Sequence, residues 1–193
     1  MPAPPRLILA SRSPRRRQLL AEAGYQFEVI APSDPAECGL CSEETPPELV
    51  ARLAYQKAQD VAARVERGLV IGCDTVAECA GQILGKPADA DDARRMLKLL
   101  SGREHRVWSG LCLWPVPGSE AHVSVARTTL QMDPVSDALI DEFIATGQWE
   151  DKAGAFGYQD GLDWLRVVEG SESNVVGLPM ELLAEMLARQ ANT

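Results

Sequence analysis

Ser11-Arg12-Ser13-Pro14-Arg15-Arg16 joins two hydroxyls to three guanidiniums within one short stretch. Hydroxyl donors, guanidinium forks and the N–H groups at a helix start are what a polyphosphate needs from a protein. The same residues compose a solvated basic helix face with an ordinary Ser-Pro cap, and charge and spacing leave the two readings level. A second group is Gly72-Cys73-Asp74-Thr75, followed by Gly85-Lys86-Pro87. A carboxylate directly after an apolar run can hold a divalent cation or take a proton from water, and a lysine returned beside it can meet a phosphate. Such an aspartate can equally be a turn or capping residue. The third group runs from Asp151 through Lys152-Ala153-Gly154-Ala155-Phe156-Gly157-Tyr158 to Gln159. Its small residues permit close backbone approach, and Gln159 offers a donor and an acceptor that could read a base edge, although loop glycines also serve as plain turns.

The elements that must position these groups follow from periodicity. Leu7 to Ala10 is apolar and short enough for a buried strand; Ser13-Pro14 then starts a helix that stops at Gly24. The first group therefore sits where a strand gives way to a helix N-terminus. Phe27 to Ala31 reads as strand, Pro32 to Pro47 as loop, and Glu48 to Arg67 as a long helix ended by Gly68. Leu69 to Cys73 is a second buried strand that delivers Asp74 at its C-terminal end, where open α/β sheets bind ligands. Val76 to Leu84 is a hairpin turned at Ala80-Gly81, and Asp89 to Leu100 is a helix with an acidic cap. His105 to Trp114 and His122 to Met132 alternate as strands around a Pro115 to Gly118 turn. Ser136 caps a helix to Thr146, Gly147 to Gly170 is a long loop holding one strand at Trp164 to Val168, and Pro179 to Arg189 is a closing helix.

Composition limits the function classes. Forty-six per cent hydrophobic and 24% charged residues over 193 positions fit one globular domain spanning 1–193. No window reaches the roughly 20 apolar residues of a membrane span, and the apolar run at Leu7 to Ala10 is too short for an export signal, so a cytoplasmic protein with no membrane partner is expected. A net charge of -9 disfavours a nucleic-acid polymer as partner. Five of the 19 basic residues nevertheless lie between Arg6 and Arg17, with no acidic residue before Glu22. One concentrated basic segment on an acidic molecule suits a small anionic ligand. The odd count of five cysteines argues for reduced thiols; Cys38-x-x-Cys41 lacks the second ligand pair of a zinc site, since His105 and His122 are remote. Trp108 and Trp114 fall in expected strands and read as core, whereas Trp149 and Trp164 flank the third group and leave base stacking open.

The segments LASRSPRRRQLL, ARLAYQKA, IGCDTVAECAGQILGKP, LSGREHRVWSG, EDKAGAFGYQDG and VVGLPMELL stand in an order and spacing that resembles the Maf family of nucleoside triphosphate pyrophosphatases over nearly the whole chain. The resemblance implies a bilobed α/β fold of the Maf and inosine triphosphatase kind, with a central twisted mixed sheet flanked by helices and a cleft between lobes. It implies cleavage between the α and β phosphates of a nucleoside triphosphate, dependence on a divalent cation, Mg²⁺ or Mn²⁺, and a homodimer. Carried over by position, Asp74 matches the general base and a metal ligand, and Glu37 matches a further acidic metal ligand. Ser11, Ser13, Arg15 and Arg16 match the phosphate-binding turn; Lys57 and Lys86 match the family's substrate-binding lysines of the cleft. The subgroup acting on dTTP and UTP is marked by arginine, threonine and glutamine at the positions of Arg16, Thr75 and Gln159, and all three are present. The chain departs from that subgroup at Gly157-Tyr158-Gln159-Asp160-Gly161, where Gly-Ile-Gln-Gly is usual, and the stretch that follows is nearer the subgroup acting on 7-methyl-GTP, whose Asp-Gln in place of Asp74-Thr75 is absent. Three alternatives to a dTTP/UTP house-cleaning enzyme follow: a 7-methyl-GTP type enzyme, a pyrophosphatase for other modified purines, and a nucleotide-binding regulator of septum formation. Tyr158 and Gln159 are the expected base selectors.

Overall fold

The computed structural model describes residues 6–37, 44–118 and 120–191. Among the described residues seven strands form a mixed sheet in the order β2-β1-β3-β5-β6-β7, with β4 paired to β3. They are β1 (Leu7–Ala10), β2 (Phe27–Val29), β3 (Gly68–Cys79), β4 (Gln82–Leu84), β5 (Glu104–Val116), β6 (His122–Met132) and β7 (Leu165–Glu169). The helices are α1 (Pro14–Glu22), α2 (Pro46–Ala62), α3 (Ala90–Leu100), α4 (Asp137–Ala145), α5 (Glu172–Val176) and α6 (Met180–Ala191). The mixed α/β expectation is met. Two compact units emerge: the first comprises residues 1–74, 109–126 and 177–193, the second 75–108 and 127–176.

In the first unit β1 pairs in parallel with β2 on one side and β3 on the other, from Leu7↔Leu69 to Ala10↔Gly72. A parallel strand covered on both faces should be apolar without interruption, which is why Leu7-Ile8-Leu9-Ala10 shows no polar alternation. Leu7 and Leu9 face Leu20, Ile71, Leu111, Leu178 and Leu183 in one cluster, while Ile8 and Ala10 face Ala54, Ala58, Val61 and Val70 in another. Each buried leucine contributes about 1.5–3 kcal/mol. Asp74 shares its strand face with Val70 and Gly72, the face that packs on α2.

The second unit is built around α3, whose Ala93, Met96, Leu97 and Leu100 form a helical stripe against Leu130, Met132, Ile140, Phe143, Phe156 and Leu165. The expected caps are in place: Asp89 accepts from Asp92 N at 2.8 Å and Ser136 from Leu139 N at 3.2 Å. The β3–β4 turn is Ala80-Gly81, both at positive φ (51° and 77°), the backbone that a two-residue hairpin requires.

Two elements and one pair of tryptophans differ from the sequence reading, which also lacked α5. β3 does not stop at Cys73 but runs on to Cys79, so Asp74 lies inside a strand, two residues beyond the last parallel pair with β1. Aspartate is a poor strand former, and a boundary drawn on polarity alone stops short of it. α2 begins at Pro46, with the Glu48 carboxylate accepting from Thr45 N and Oγ1, and ends at Ala62 rather than Arg67. Arg64 there turns back to Ala31 O and Asp60. Trp149 and Trp164 pack on the second unit's core, Trp149 Nε1 donating to Ile144 O and Trp164 meeting the Phe143 ring edge-on. Core packing, rather than an open stacking surface, is their use.

Candidate active site

Gly72 sets the site's dimensions. A Cβ there would lie 2.2 Å from Ala54 O, and one at Gly110 would lie 2.0 Å from Val50 O. The absence of both side chains lets α2 settle directly on β3 and β5. Lys57 is one turn beyond Ala54, and Asp74 is two residues beyond Gly72 on the same strand face, so close backbone contact brings the two together. Lys57 Nζ donates to Asp74 Oδ1 at 2.7 Å, with both side chains largely buried. Oδ2 of Asp74 is the oxygen left for a water or a cation.

The strand-to-helix turn adjoins this pair. Ser11 is buried and its Oγ accepts from Ser13 N at 3.1 Å. Ser13 and Pro14 start α1 where expected, but Ser13 makes no side-chain capping bond. Arg16 turns inward: Nε donates to Gly177 O at 2.7 Å, and one terminal nitrogen donates to Cys73 O at 2.8 Å and Ser11 Oγ at 3.2 Å. One guanidinium thus joins the strand-to-helix turn to the peptide just before Asp74. Arg15 is half-buried on the same helix. Arg12, on the outer side, donates to Pro32 O (3.0 Å) and Asp34 Oδ1 (2.6 Å). Asp60 on α2 accepts from Ser33 Oγ, Ser33 N and Arg64, and the Ser33 hydroxyl bond is the main reason its carboxyl stays below the usual range.

Glu37 closes a short 3-10 turn, Asp34–Glu37, but its side chain lies outside the described residues, as do Cys38 and Cys41. No group of three metal-ligating side chains occurs among the described residues. A single carboxylate is still a sufficient protein donor for Mg²⁺, which keeps several waters and binds through one or two carboxylates plus substrate phosphates. Asp74, with one oxygen on Lys57 and one remaining, fits that use.

Thr75, Lys86 and Gln159 belong to the second unit. Lys86 Nζ pairs with Asp151 Oδ1 at 3.1 Å in an exposed contact, and Gly154 N donates to Gly85 O at 3.0 Å, so the Gly85-Lys86 and Asp151–Gly154 segments are joined. Of the three non-glycine residues at positive φ among the described residues, Ala80 belongs to the hairpin, while Asp151 (57°) and Ala155 (65°) both lie in this segment. Gln159 is exposed on the 3-10 turn Tyr158–Asp160. His105 is buried, with its ring edge on Phe156, and burial lowers its pKa to about 4. Burial pushes the Cys112 thiol up to about 12, so it is inert.

Sequence reasoning missed Gly177, whose carbonyl accepts from Arg16 and from Cys73 Sγ, and the positioning role of Gly72. The inward turn of Arg16 had a signal: it shares the buried helix face with Leu20, four residues on.

A family model described as Maf-like protein matches residues 6–190. The chain is 59% identical over 187 residues to the dTTP/UTP pyrophosphatase of Rhodopirellula baltica, covering 96% of this chain and 82% of that one. It is 44% identical to the dTTP/UTP pyrophosphatase of Geotalea uraniireducens over 98% of this chain and 97% of that one. Among solved structures, the Ham1 protein of Staphylococcus aureus superposes with a TM-score of 0.55 over 96% of this chain and 99% of its own, at 14% identity, a likeness of fold alone. Sequence match, motif order and sheet architecture agree: this chain belongs to the Maf family.

Proposed function

We propose that this chain is a nucleoside triphosphate pyrophosphatase that hydrolyses dTTP and UTP to the monophosphate and pyrophosphate. The observation that carries the reading is the Lys57–Asp74 pair set one peptide from the Arg16-braced turn, in a chain whose relatives are named for this reaction.

The protein's part in the reaction divides among its residues. Ser11, Ser13 and Arg15 hold phosphate oxygens at the start of α1, and Arg16 keeps Ser11 and the Cys73 peptide in place from behind. Lys57 fixes the Asp74 carboxylate by occupying Oδ1, which leaves Oδ2 to accept a proton from water. The water oxygen attacks the α phosphorus, the bond to the α–β bridging oxygen breaks, and that electron pair leaves with pyrophosphate. Lys57 and Lys86 offset charge growing on the leaving group. A divalent cation, Mg²⁺ or Mn²⁺, supplies charge neutralisation of the triphosphate when bound. Asp74 and Glu37 would hold it. Thr75 and Gln159 select the base. A cytoplasmic setting and a dimer go with this reading; the buried, reduced thiols of Cys73, Cys79 and Cys112 suit a reducing compartment.

The test is a panel of dTTP, UTP, CTP, 7-methyl-GTP and ITP, with Mg²⁺ and with chelator, measuring monophosphate and pyrophosphate separately. Stoichiometric pyrophosphate from dTTP and UTP, abolished by chelator, is expected. Preferential cleavage of 7-methyl-GTP or ITP, or binding without cleavage of any nucleotide, would refute it.

A further inference from the structure

The turn carrying Gln159 is three residues long, Tyr158–Asp160, and ends on Gly161 in the left-handed region at φ 68°. A single 3-10 turn has little stability of its own, so its side-chain contacts decide where it sits. Tyr158 makes two such contacts. Its ring packs on the second unit's core and its hydroxyl donates to Glu172 Oε1 at 2.8 Å. That bond also holds the phenol proton more firmly than usual.

Glu172 opens α5, a five-residue helix too short to persist alone. α5 is pinned by Asn174, which is fully buried and whose Nδ2 donates to Val107 O at 3.2 Å and Thr128 Oγ1 at 2.9 Å. Thr128 Oγ1 also accepts from Ser171 N and donates to Ser171 O, both at 3.1 Å. A continuous path therefore leads from β5 and β6 through Thr128, Asn174 and Glu172 to Tyr158, and ends one residue from Gln159.

The chemistry of the base explains why such a brace matters. Uracil and thymine present an N3–H donor beside an O4 acceptor, and cytosine presents the reverse. A glutamine amide matches the first pattern in one orientation and the second when flipped. Discrimination therefore requires the glutamine to be held at a fixed position rather than free to swing. We propose that the Tyr158–Glu172 hydrogen bond is a specificity-determining contact that positions Gln159 to favour uracil and thymine over cytosine. Tyr158 and Glu172 are positioning residues, acting through Gln159; the proposal rests on the reading that Gln159 meets the base.

The test compares kcat/KM for UTP and CTP in the parent enzyme and five variants. Tyr158→Phe keeps the ring and removes the hydroxyl; Glu172→Ala removes the acceptor. Each is expected to lower the UTP/CTP ratio by about three- to tenfold, chiefly through KM, and the double variant by no more than either alone. Glu172→Gln retains an acceptor oxygen and is expected to keep the ratio within about twofold of the parent. Gln159→Ala separates the two layers. If it leaves the parent ratio unchanged, the underlying reading of Gln159 fails and the brace with it. If it lowers the ratio while Tyr158→Phe does not, the brace alone is overturned. A Tyr158→Phe protein that melts earlier but discriminates like the parent likewise overturns it, because the contact is then only structural.

Discussion

Arg16 connects three backbone segments that are distant in sequence. Its guanidinium holds Gly177 O, Cys73 O and Ser11 Oγ, a division of donors that a lysine ammonium cannot reproduce from one position. Arg16→Lys is therefore expected to lower stability by about 2–4 kcal/mol, read as a shift in the urea midpoint at unchanged slope. An unchanged midpoint would show that the fork is dispensable. Residue types alone left anion binding at this turn level with a solvated basic helix face, and it was the family resemblance that favoured phosphate. Which arginine turns inward was harder to read. It depends on the rotation of α1 about its axis, and the only clue is the four-residue spacing of Arg16 and Leu20. Lys57 illustrates the opposite limit: nothing local links it to Asp74, and its place in the site was reached through family resemblance rather than spacing.

At the scale of elements, Gly72 and Ala80 make contrasting predictions. Gly72→Ala places a methyl against Ala54 O, where backbone must move, and is expected to cost about 1–3 kcal/mol while separating Lys57 from Asp74. Thermal melting and turnover should fall together; a variant that loses neither would mean α2 has room to spare. Ala80 sits at φ 51° in the β3–β4 turn, so Ala80→Gly should relieve strain and raise stability by about 0.5–1 kcal/mol without altering activity. Urea unfolding checks the sign. The existence of the strands and of every helix but the five-residue α5 was legible because buried strands read as apolar runs and α3 as a stripe of period 3.6. The continuity of β3 was not, because Asp74 and Thr75 interrupt its apolar pattern, so that one strand reads as two, Leu69 to Cys73 and the first arm of the Val76 to Leu84 hairpin. The break at Ala62 in α2 was hidden for the converse reason: Arg64 and Glu66 suit a helix, and only the tertiary contact of Arg64 with Ala31 O shows the chain has turned away.

For the whole molecule, acid sensitivity follows from His105. The folded protein keeps this histidine neutral down to about 4, whereas an unfolded chain protonates it near 6.5. Below 6.5 the unfolded state binds the extra proton, so stability is full above that pH and falls as pH drops toward 4, by about 3 kcal/mol in all. Asp60 and Asp92, held low by hydrogen bonds, lose their contributions only further down, so the histidine dominates between pH 6.5 and 5. Denaturant unfolding at pH 7.5 and 5.0 should show the loss in the parent and a smaller one in His105→Gln; equal losses would place the sensitivity elsewhere. Composition and charge foretold an acidic globular chain with one basic segment, but two units each assembled from separate stretches of the chain are something no local pattern encodes. The central claim concerns what the molecule does with a triphosphate at Asp74, and the isosteric Asp74→Asn variant tests it, since the amide oxygen still accepts from Lys57 but the side chain takes no proton. With dTTP and Mg²⁺, pyrophosphate release by this variant is predicted to fall by at least about 100-fold while circular dichroism and melting remain those of the parent. A folded Asp74→Asn protein that releases pyrophosphate at the parental rate would contradict the account.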